Sequence, residues 1–396
     1  MRCGQDRLPR SRRFGLRVAG SIRTVSDLLV QTAGESHGPC GTAFITGMPA
    51  GLTVDTDFIN MALRRRQGGY GRGGRQRIET DAVEVTAGVR LGLTTGAPIV
   101  LQVPNKDARL DDLERTPPMH RPRPGHADLA GSLKYDTDDC RNVLERASAR
   151  ETAARTAAGA LARLLLREVG IETFAYLRGL IDVDAPVTVT GDLDALRAAC
   201  DASEVYNPDP TASAAMIEHI HEAKVNKDTI GGLCEVHVLG CPAGLGTCME
   251  RMETLDSKLA GAVMSIQAFK GVEVGLGCEV ITRTGSQVHD PIEHDGQVYV
   301  RPTNNAGGIE GGMTNGMPVV VRGAMKPIST LLQGLPSVDM RTHEAQQSTY
   351  ERSDVCAAPA ASVVMEHVVA IEIAAAVLRR YAGDTLSQVK TAMGIK

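Results

Sequence analysis

The clearest helix pattern in the chain is Ser148–Val169, an alanine- and leucine-rich stretch that opens on Ser148-Ala149-Arg150-Glu151. A serine followed three residues later by glutamate is a capping-box pattern, so a helix is predicted from Ser148. Ala212–Val225, Leu255–Phe269 and Ala360–Tyr381 read as further helices, the last closed by Gly383. Asp57–Arg66 reads as a shorter one. Its last turn carries Arg64, Arg65 and Arg66, where cations favour a helix C-terminus, and Gly68-Gly69 stop it. Ala43–Val54 reads as strand, turn, strand, punctuated by Pro49 and Gly51, and Val83–Val103 holds β-branched residues and turns that predict strands. Helices and strands do not alternate strictly. The pattern therefore predicts an α+β fold rather than a doubly wound parallel sheet.

Composition narrows the class. Of 396 residues, 42% are hydrophobic and 23% charged, which suffices for a sizeable core and argues against disorder. The length fits two domains or one large α+β domain. A net charge of -4 gives no global pull toward nucleic acid or an anionic membrane, so anions must be held by local clusters. Nine cysteines are scattered, and the regular set Cys234, Cys241, Cys248 is spaced too widely for zinc ligands. They read as reduced thiols of a cytoplasmic protein. No apolar run approaches the roughly 18 residues of a membrane span. Residues 1–27 differ from the rest, with seven arginines and two acids, and lack the apolar centre of a secretion signal. They fit a flexible extension or a misassigned start better than a transit peptide.

Several short motifs suggest chemistry. Gly34-Glu35-Ser36-His37-Gly38 matches the hydrolase elbow G-x-S-x-G, but an elbow needs upstream strands and almost nothing foldable precedes it. Gly69-Tyr70-Gly71-Arg72-Gly73-Gly74 matches G-x-G-x-x-G but follows a helix instead of a strand, which argues against a dinucleotide fold. Arg64–Arg77 as a whole looks like an arginine-glycine RNA segment. Aromatic content of 3% with no tryptophan leaves few stacking platforms, and a small, highly anionic ligand fits better. Arg121–Asp128 sets His126 and Arg123 in a proline-stiffened loop. Arg146 and Ser148 stand at the mouth of a predicted helix, where free N–H groups favour phosphate. Asn304–Gly316 has too many glycines for regular structure and suggests backbone wrapped round a planar ligand. Lys326 leads Pro327 and two hydroxyls. Arg352 and Asp354 lie before the last helix, where Asp354 could act as a cap. His219 and His221, two apart on a helix, face different directions and are not read as metal ligands.

With these residues assembled, the chain from about Leu28 to the C-terminus resembles chorismate synthase. TAGESHG, RRRQGGYGRGGR, RPGHAD, LERASARETAAR, QAFKGVEVG, NNAGGIEGGMTNG, MKPIST and RSDVCAAPA look like that family's segments, in its order. The resemblance implies one large catalytic domain over residues 28–396, with helices sandwiched between antiparallel sheets, in a homotetramer. It implies an anti-1,4 elimination of phosphate from 5-enolpyruvylshikimate 3-phosphate. The reaction uses reduced FMN without net redox change, with NADPH or a separate flavin reductase as candidate sources of reductant. By motif, His37 matches a histidine that protonates the departing phosphate, and His126 one that protonates or orients reduced flavin. Asp354 matches a carboxylate acting near the flavin N5. Arg66, Arg72 and Arg150 match substrate-binding positions. Arg123, Arg146, Ala147, Ser148, Gln267, Ala268, Gly311, Lys326, Pro327, Ile328, Ser329, Thr330 and Arg352 match cofactor-binding ones. No metal, nucleic acid or membrane is implied. A non-enzymatic RNA- or phosphate-binding protein built on Arg64–Arg77 is the alternative. Two departures stand out: the arginine-rich extension, and a loop between Asn105 and Arg121 shorter than in many relatives. A chain starting at Leu28 is expected to fold and turn over like the full chain. A large loss of either in a side-by-side assay would show that the extension is needed.

Overall fold

The computed structural model describes residues 27–73, 80–189, 192–348 and 354–395. Strands β1 (Leu29–Ala33), β2 (Cys40–Thr46) and β3 (Glu84–Ala87) join β6 (Ile99–Pro104) in a four-stranded antiparallel sheet of order β1-β2-β6-β3. The small hairpin β4 (Val89–Arg90) and β5 (Leu93–Thr94) lies between β3 and β6 in the chain. The second sheet is also antiparallel: β7 (Glu172–Leu180), β8 (Val183–Asp184), β9 (Gly232–Leu239), β10 (Phe269–Val274) and β15 (Val319–Met325), in the order β10-β15-β9-β7-β8. Hairpins β11 (Glu293–His294) with β12 (Tyr299–Val300), β13 (Ile309–Glu310) with β14 (Met313–Thr314), and β16 (Pro336–Val338) with β17 (Ala345–Gln347) complete the strands.

Between the sheets lie helices α1 (Thr56–Gln67), α4 (Thr152–Glu168) and α9 (Ala358–Arg380). α4 packs on β2 and β6 of the first sheet and α9 on β7 and β9 of the second, and the two helices pack on each other. Their closest approach is at Gly159, where a Cβ would strike the His367 carbonyl. Around this layer run α2 (Asp128–Lys134), α3 (Arg141–Ala147), α5 (Leu193–Ala202), α6 (Pro210–Val225), α7 (Leu255–Met264), the short α8 (Gly285–Val288) and α10 (Leu386–Ala392). The predicted α+β sandwich is therefore the observed one. By length and composition α9 is apolar enough to cross a membrane, contrary to the sequence expectation, but most of it is buried as the core helix of this sandwich.

Local boundaries shift for identifiable reasons. Asp55 caps α1 by accepting the Phe58 N–H at 3.0 Å, and Asp209 caps α6 ahead of Pro210. The predicted capping box at Ser148 does not form. Ser148 caps a single 3-10 turn, Ala149–Glu151, and Glu151 turns its carboxylate elsewhere. The helix from Leu255 stops at Met264, because Ala268 takes a left-handed φ of 70° and Phe269 begins β10. The closing helix ends at Arg380 with Tyr381 as its cap residue, not at Gly383. Of the predicted strand pair in Ala43–Val54, only the first is a strand; Thr53 makes an isolated bridge to Leu93.

Candidate active site

His37 stands in the turn between β1 and β2. Gly34 opens that turn at φ 110°, where a side chain would collide with the Cys40 carbonyl. Glu145 of α3 fixes the imidazole from below. Its two oxygens lie 3.0 and 3.0 Å from Nδ1, and the His37 N–H donates to Oε2 at 2.9 Å. Glu145 is almost fully buried. Burial alone would raise its pKa, but hydrogen bonds from His37 and the nearby Arg141 charge outweigh it and hold the carboxyl below its ordinary range. The side chain therefore stays an anion that orients the ring and leaves Nε2 outward. Asn105 braces the same turn: its amide donates to Gly38 O at 2.7 Å and to Glu35 O at 3.3 Å.

His126 is built on the same plan. Its Nδ1 lies 2.5 Å from Asp128 Oδ1, the first residue of α2. Arg123 grips the other oxygen through its N–H at 3.0 Å and Nε at 2.8 Å, and its Nη2 reaches Oδ1 at 3.1 Å. Asp128 has no exposed surface. Its burial raises the pKa, yet the His126 and Arg123 bonds prevail and hold it well below the usual carboxylate range. The carboxylates of the two imidazole–carboxylate pairs thus sit on α2 and α3, which pack together where Gly131 meets Val143.

The arginines are already engaged with acids. Arg66 is buried and donates to Asp81 Oδ2 at 2.8 Å and Thr152 Oγ1 at 3.1 Å. Its burial, reinforced by the Arg150 charge and only partly offset by Asp81, brings its pKa down to about 10. Arg150 shares Asp81 at 2.7 Å and donates through Nε to Asn105 Oδ1 at 2.7 Å, so one buried carboxylate links Arg66 to the His37 turn. Arg72 pairs with Asp354 at 2.6 Å, and the Gly73 N–H donates to the same carboxylate at 2.7 Å. Asp354 is not a helix cap: the cap position of α9 is Ala357, with no side-chain bond.

The remaining candidates form a chain of contacts that returns to His37. Lys326 Nζ donates to Gly125 O in the His126 loop, and the Lys326 N–H donates to Ala268 O at 2.9 Å. Burial and the neighbouring Lys270 lower the Lys326 pKa. Gln267, next to Ala268, donates to Glu151 Oε2 at 3.0 Å, while its own Oε1 is buried without a hydrogen-bond partner. Glu151 also receives Thr32 and Arg155, and Arg146 donates to Thr32 O at 2.9 Å. Ser148 then donates to Ser36 beside His37, at 3.2 Å. Asp354 joins through its neighbour: Ile230 N–H donates to Val355 O at 3.0 Å, and Thr229 donates to Ile328 O at 2.6 Å. Ala147 and Ser329 are half-buried in this ring; Pro327 is exposed and Thr330 half-buried. Gly311 is different. It turns the β13–β14 hairpin at φ 57° against Cys248, held by residues 244–255. Arg352 and residues 74–79 of the arginine cluster lie outside the described residues.

Sequence reasoning missed Glu145, Asp128, Asp81, Asn105 and Glu151. Glu145, Asp128 and Glu151 sat inside motifs already singled out; Asp81 and Asn105 carried no local signal. A cleft of about 210 Å³ between α1, α4, α5 and β7 also carries four arginines. There Arg65 pairs with Asp201, Arg163 with Glu366, and Arg167 and Arg197 with Glu172, at 2.8, 3.1, 3.3 and 2.7 Å, so it reads as structural.

A family model described as chorismate synthase matches residues 28–378. Over 368 residues the chain is 52% identical to the chorismate synthase of Syntrophotalea carbinolica, covering 91% of this chain and 95% of that one. It is 49% identical over 373 residues to that of Desulforamulus reducens, covering 91% and 95%. A solved structure described as a crystal structure of chorismate synthase superposes with a TM-score of 0.75 at 38% identity, covering 94% of this chain and 97% of that chain.

Proposed function

The chain belongs to the chorismate synthase family, and from that premise we propose how its own residues carry the family's reaction. The enzyme is a lyase of aromatic amino acid biosynthesis that acts on 5-enolpyruvylshikimate 3-phosphate and releases phosphate to form chorismate. The RNA-binding alternative finds no support. In the described part of the cluster, Arg65, Arg66 and Arg72 face Asp201, Asp81 and Asp354 rather than solvent.

The family works with reduced FMN, and the residues present suit that group. Lys326 and Arg146 offer cationic donors, Ser148, Ser329 and Thr330 offer hydroxyls, and Gln267 Oε1 is a buried acceptor without a partner. Held there, reduced FMN would supply electron density for the elimination without net redox change. The protein's part is proton handling and charge. His37, oriented by Glu145, gives a proton from Nε2 to the departing phosphate oxygen. Asp128 and Arg123 hold His126 beside the Gly125–Lys326 contact, with Nε2 as its exchangeable nitrogen. Asp354 accepts a proton as the ring hydrogen leaves. Arg66, Arg72 and Arg150 offset the substrate's carboxylates and phosphate. The observation that carries this reading is the closed ring of contacts bearing both imidazole–carboxylate pairs. Anaerobic turnover with photoreduced FMN, followed by chorismate absorbance, tests it; absence of chorismate would refute it.

A homotetramer in the cytoplasm is the proposed state, checked by light scattering. NADPH is the proposed reductant, directly or through a separate flavin reductase. Turnover with NADPH, FMN and the purified chain alone separates the two routes.

Arg66→Ala is expected to raise the substrate KM more than it changes FMN affinity, since losing a charge-assisted contact in a desolvated site costs about 2–5 kcal/mol. It should also lower stability, because Asp81 would keep only Arg150. Arg66→Lys should restore neither fully, since an ammonium cannot reach both Asp81 and Thr152 as the planar fork does. An unchanged KM in the alanine variant would place the substrate elsewhere.

A further inference from the structure

The His37 turn is clamped by residues 105–116, a loop with no part yet in the chemistry. The N–H groups of Arg109 and Leu110 donate to the His37 carbonyl at 2.9 and 3.0 Å. Arg109 then folds its guanidinium back over the ring, placing Nη2 3.4 Å from His37 Nε2. Its Nη1 donates to Arg115 O at 3.2 Å, and its Nε is buried 3.3 Å from Asp107 Oδ1 without a hydrogen bond. Both side chains are largely enclosed, with 12% of His37 and 28% of Arg109 exposed.

Because Glu145 occupies Nδ1, Nε2 is the nitrogen that must carry the transferable proton. Without that proton, Nε2 accepts from Arg109. With it, two cationic donors face each other at 3.4 Å, an unfavourable arrangement unless an anion satisfies both. Asp107 is the anion nearest to both, and it lies beyond hydrogen-bond distance of Nε2. Glu145, with Arg141 3.7 Å away, lies on the far side of the ring. Asp107 is 3.3 Å from Arg109 Nε and 3.9 Å from His37 Nε2, and it is shared with Arg115 at 3.3 Å. A phosphate fits, because separate oxygens can take the two donors.

We propose that Arg109 is a further catalytic residue which, with His37, forms the subsite for the departing phosphate. The inference rests on the reading of His37 as the acid. As the carbon–oxygen bond breaks, its electron pair stays on the phosphate oxygen. His37 Nε2 transfers a proton to that oxygen; Arg109 transfers none and contributes a hydrogen bond and positive charge.

Inorganic phosphate, the released product, probes this subsite as an inhibitor competing with substrate. Arg115→Gln removes the same unit charge from the same loop without facing His37. Arg109→Gln is expected to weaken phosphate inhibition by about tenfold or more, equivalent to about 1.4 kcal/mol, and to slow single turnover. Arg115, with 58% of its side chain exposed, should change it by no more than about twofold when replaced. Phosphate inhibition in Arg109→Gln within about twofold of wild type, or an equal loss in both variants, overturns the proposal, as does a full-length chain that tens of millimolar phosphate does not inhibit. Should the glutamine variant not fold, Arg109→Lys decides, since a point charge cannot reproduce the fork; unchanged phosphate inhibition there also overturns it. Failure of the underlying reading shows separately: a His37→Gln chain turning over at wild-type rate removes the acid, while the phosphate measurements still judge Arg109.

Discussion

Replacing His37 by alanine slows turnover by an expected 10²–10⁴-fold, roughly the contribution of a positioned proton donor. The size follows from how the ring is held. Glu145 takes Nδ1 and the His37 N–H together, so the imidazole has one orientation and Nε2 alone is left to carry the proton. Water reaching the same point would have no such orientation. The alanine variant also leaves a buried carboxylate with fewer partners, which costs about 1–3 kcal/mol, so its thermal unfolding must be followed alongside. His37→Gln separates the two effects. An amide can still donate to Glu145 but cannot give up a proton, so stability should return while turnover stays low. His126→Ala should slow turnover by the same route, with Asp128 left to Arg123 alone. Single-turnover rates with pre-reduced FMN are the measurement. Wild-type rates in both histidine variants would end both assignments.

Much of this site was legible because its residues fall in short strings. Gly34–Gly41, Arg121–Asp128 and Leu144–Ala153 each pair a reactive side chain with residues that shape a turn, and the last two also contain carboxylates now seen at work. What a string cannot carry is a partner remote in sequence. Asn105 joins Arg150 to the His37 turn across 45 and 67 residues, and Asp81 joins Arg66 to Arg150. The central helices were readable from composition, whereas most of the second sheet was not. β7 is buried along nearly its whole length, because the helical layer covers one face while Phe174 and Tyr176 meet Cys200 of α5 on the other. Strands covered on both sides show no alternation to read. The capping box failed for a related reason. Local spacing favoured Glu151 returning to Ser148, but Thr32, Arg155 and Gln267 offered three donors instead of one.

Asp354→Asn should lower the single-turnover rate by roughly 10²-fold or more. Helix capping no longer competes as an explanation, since α9 is capped at Ala357. The remaining alternative is that Asp354 only neutralises Arg72, which it meets at 2.6 Å. Asparagine tests this cleanly. Its side-chain oxygen can still accept the Gly73 N–H, so the backbone there need not move. Its loss of charge leaves Arg72 without its acid and therefore more available to an anionic substrate. If Asp354 is only a counter-ion, the rate should hold and KM should stay level or fall. If it accepts a proton during the elimination, the rate should collapse although KM still does not rise, because an amide takes no proton at neutral pH. FMN and substrate should bind in either case, since Lys326, Arg66 and Arg150 are untouched. The decisive pair of measurements is single turnover with pre-reduced FMN and thermal unfolding of the same variant. A near-wild-type rate would leave Asp354 as the partner of Arg72 and nothing more.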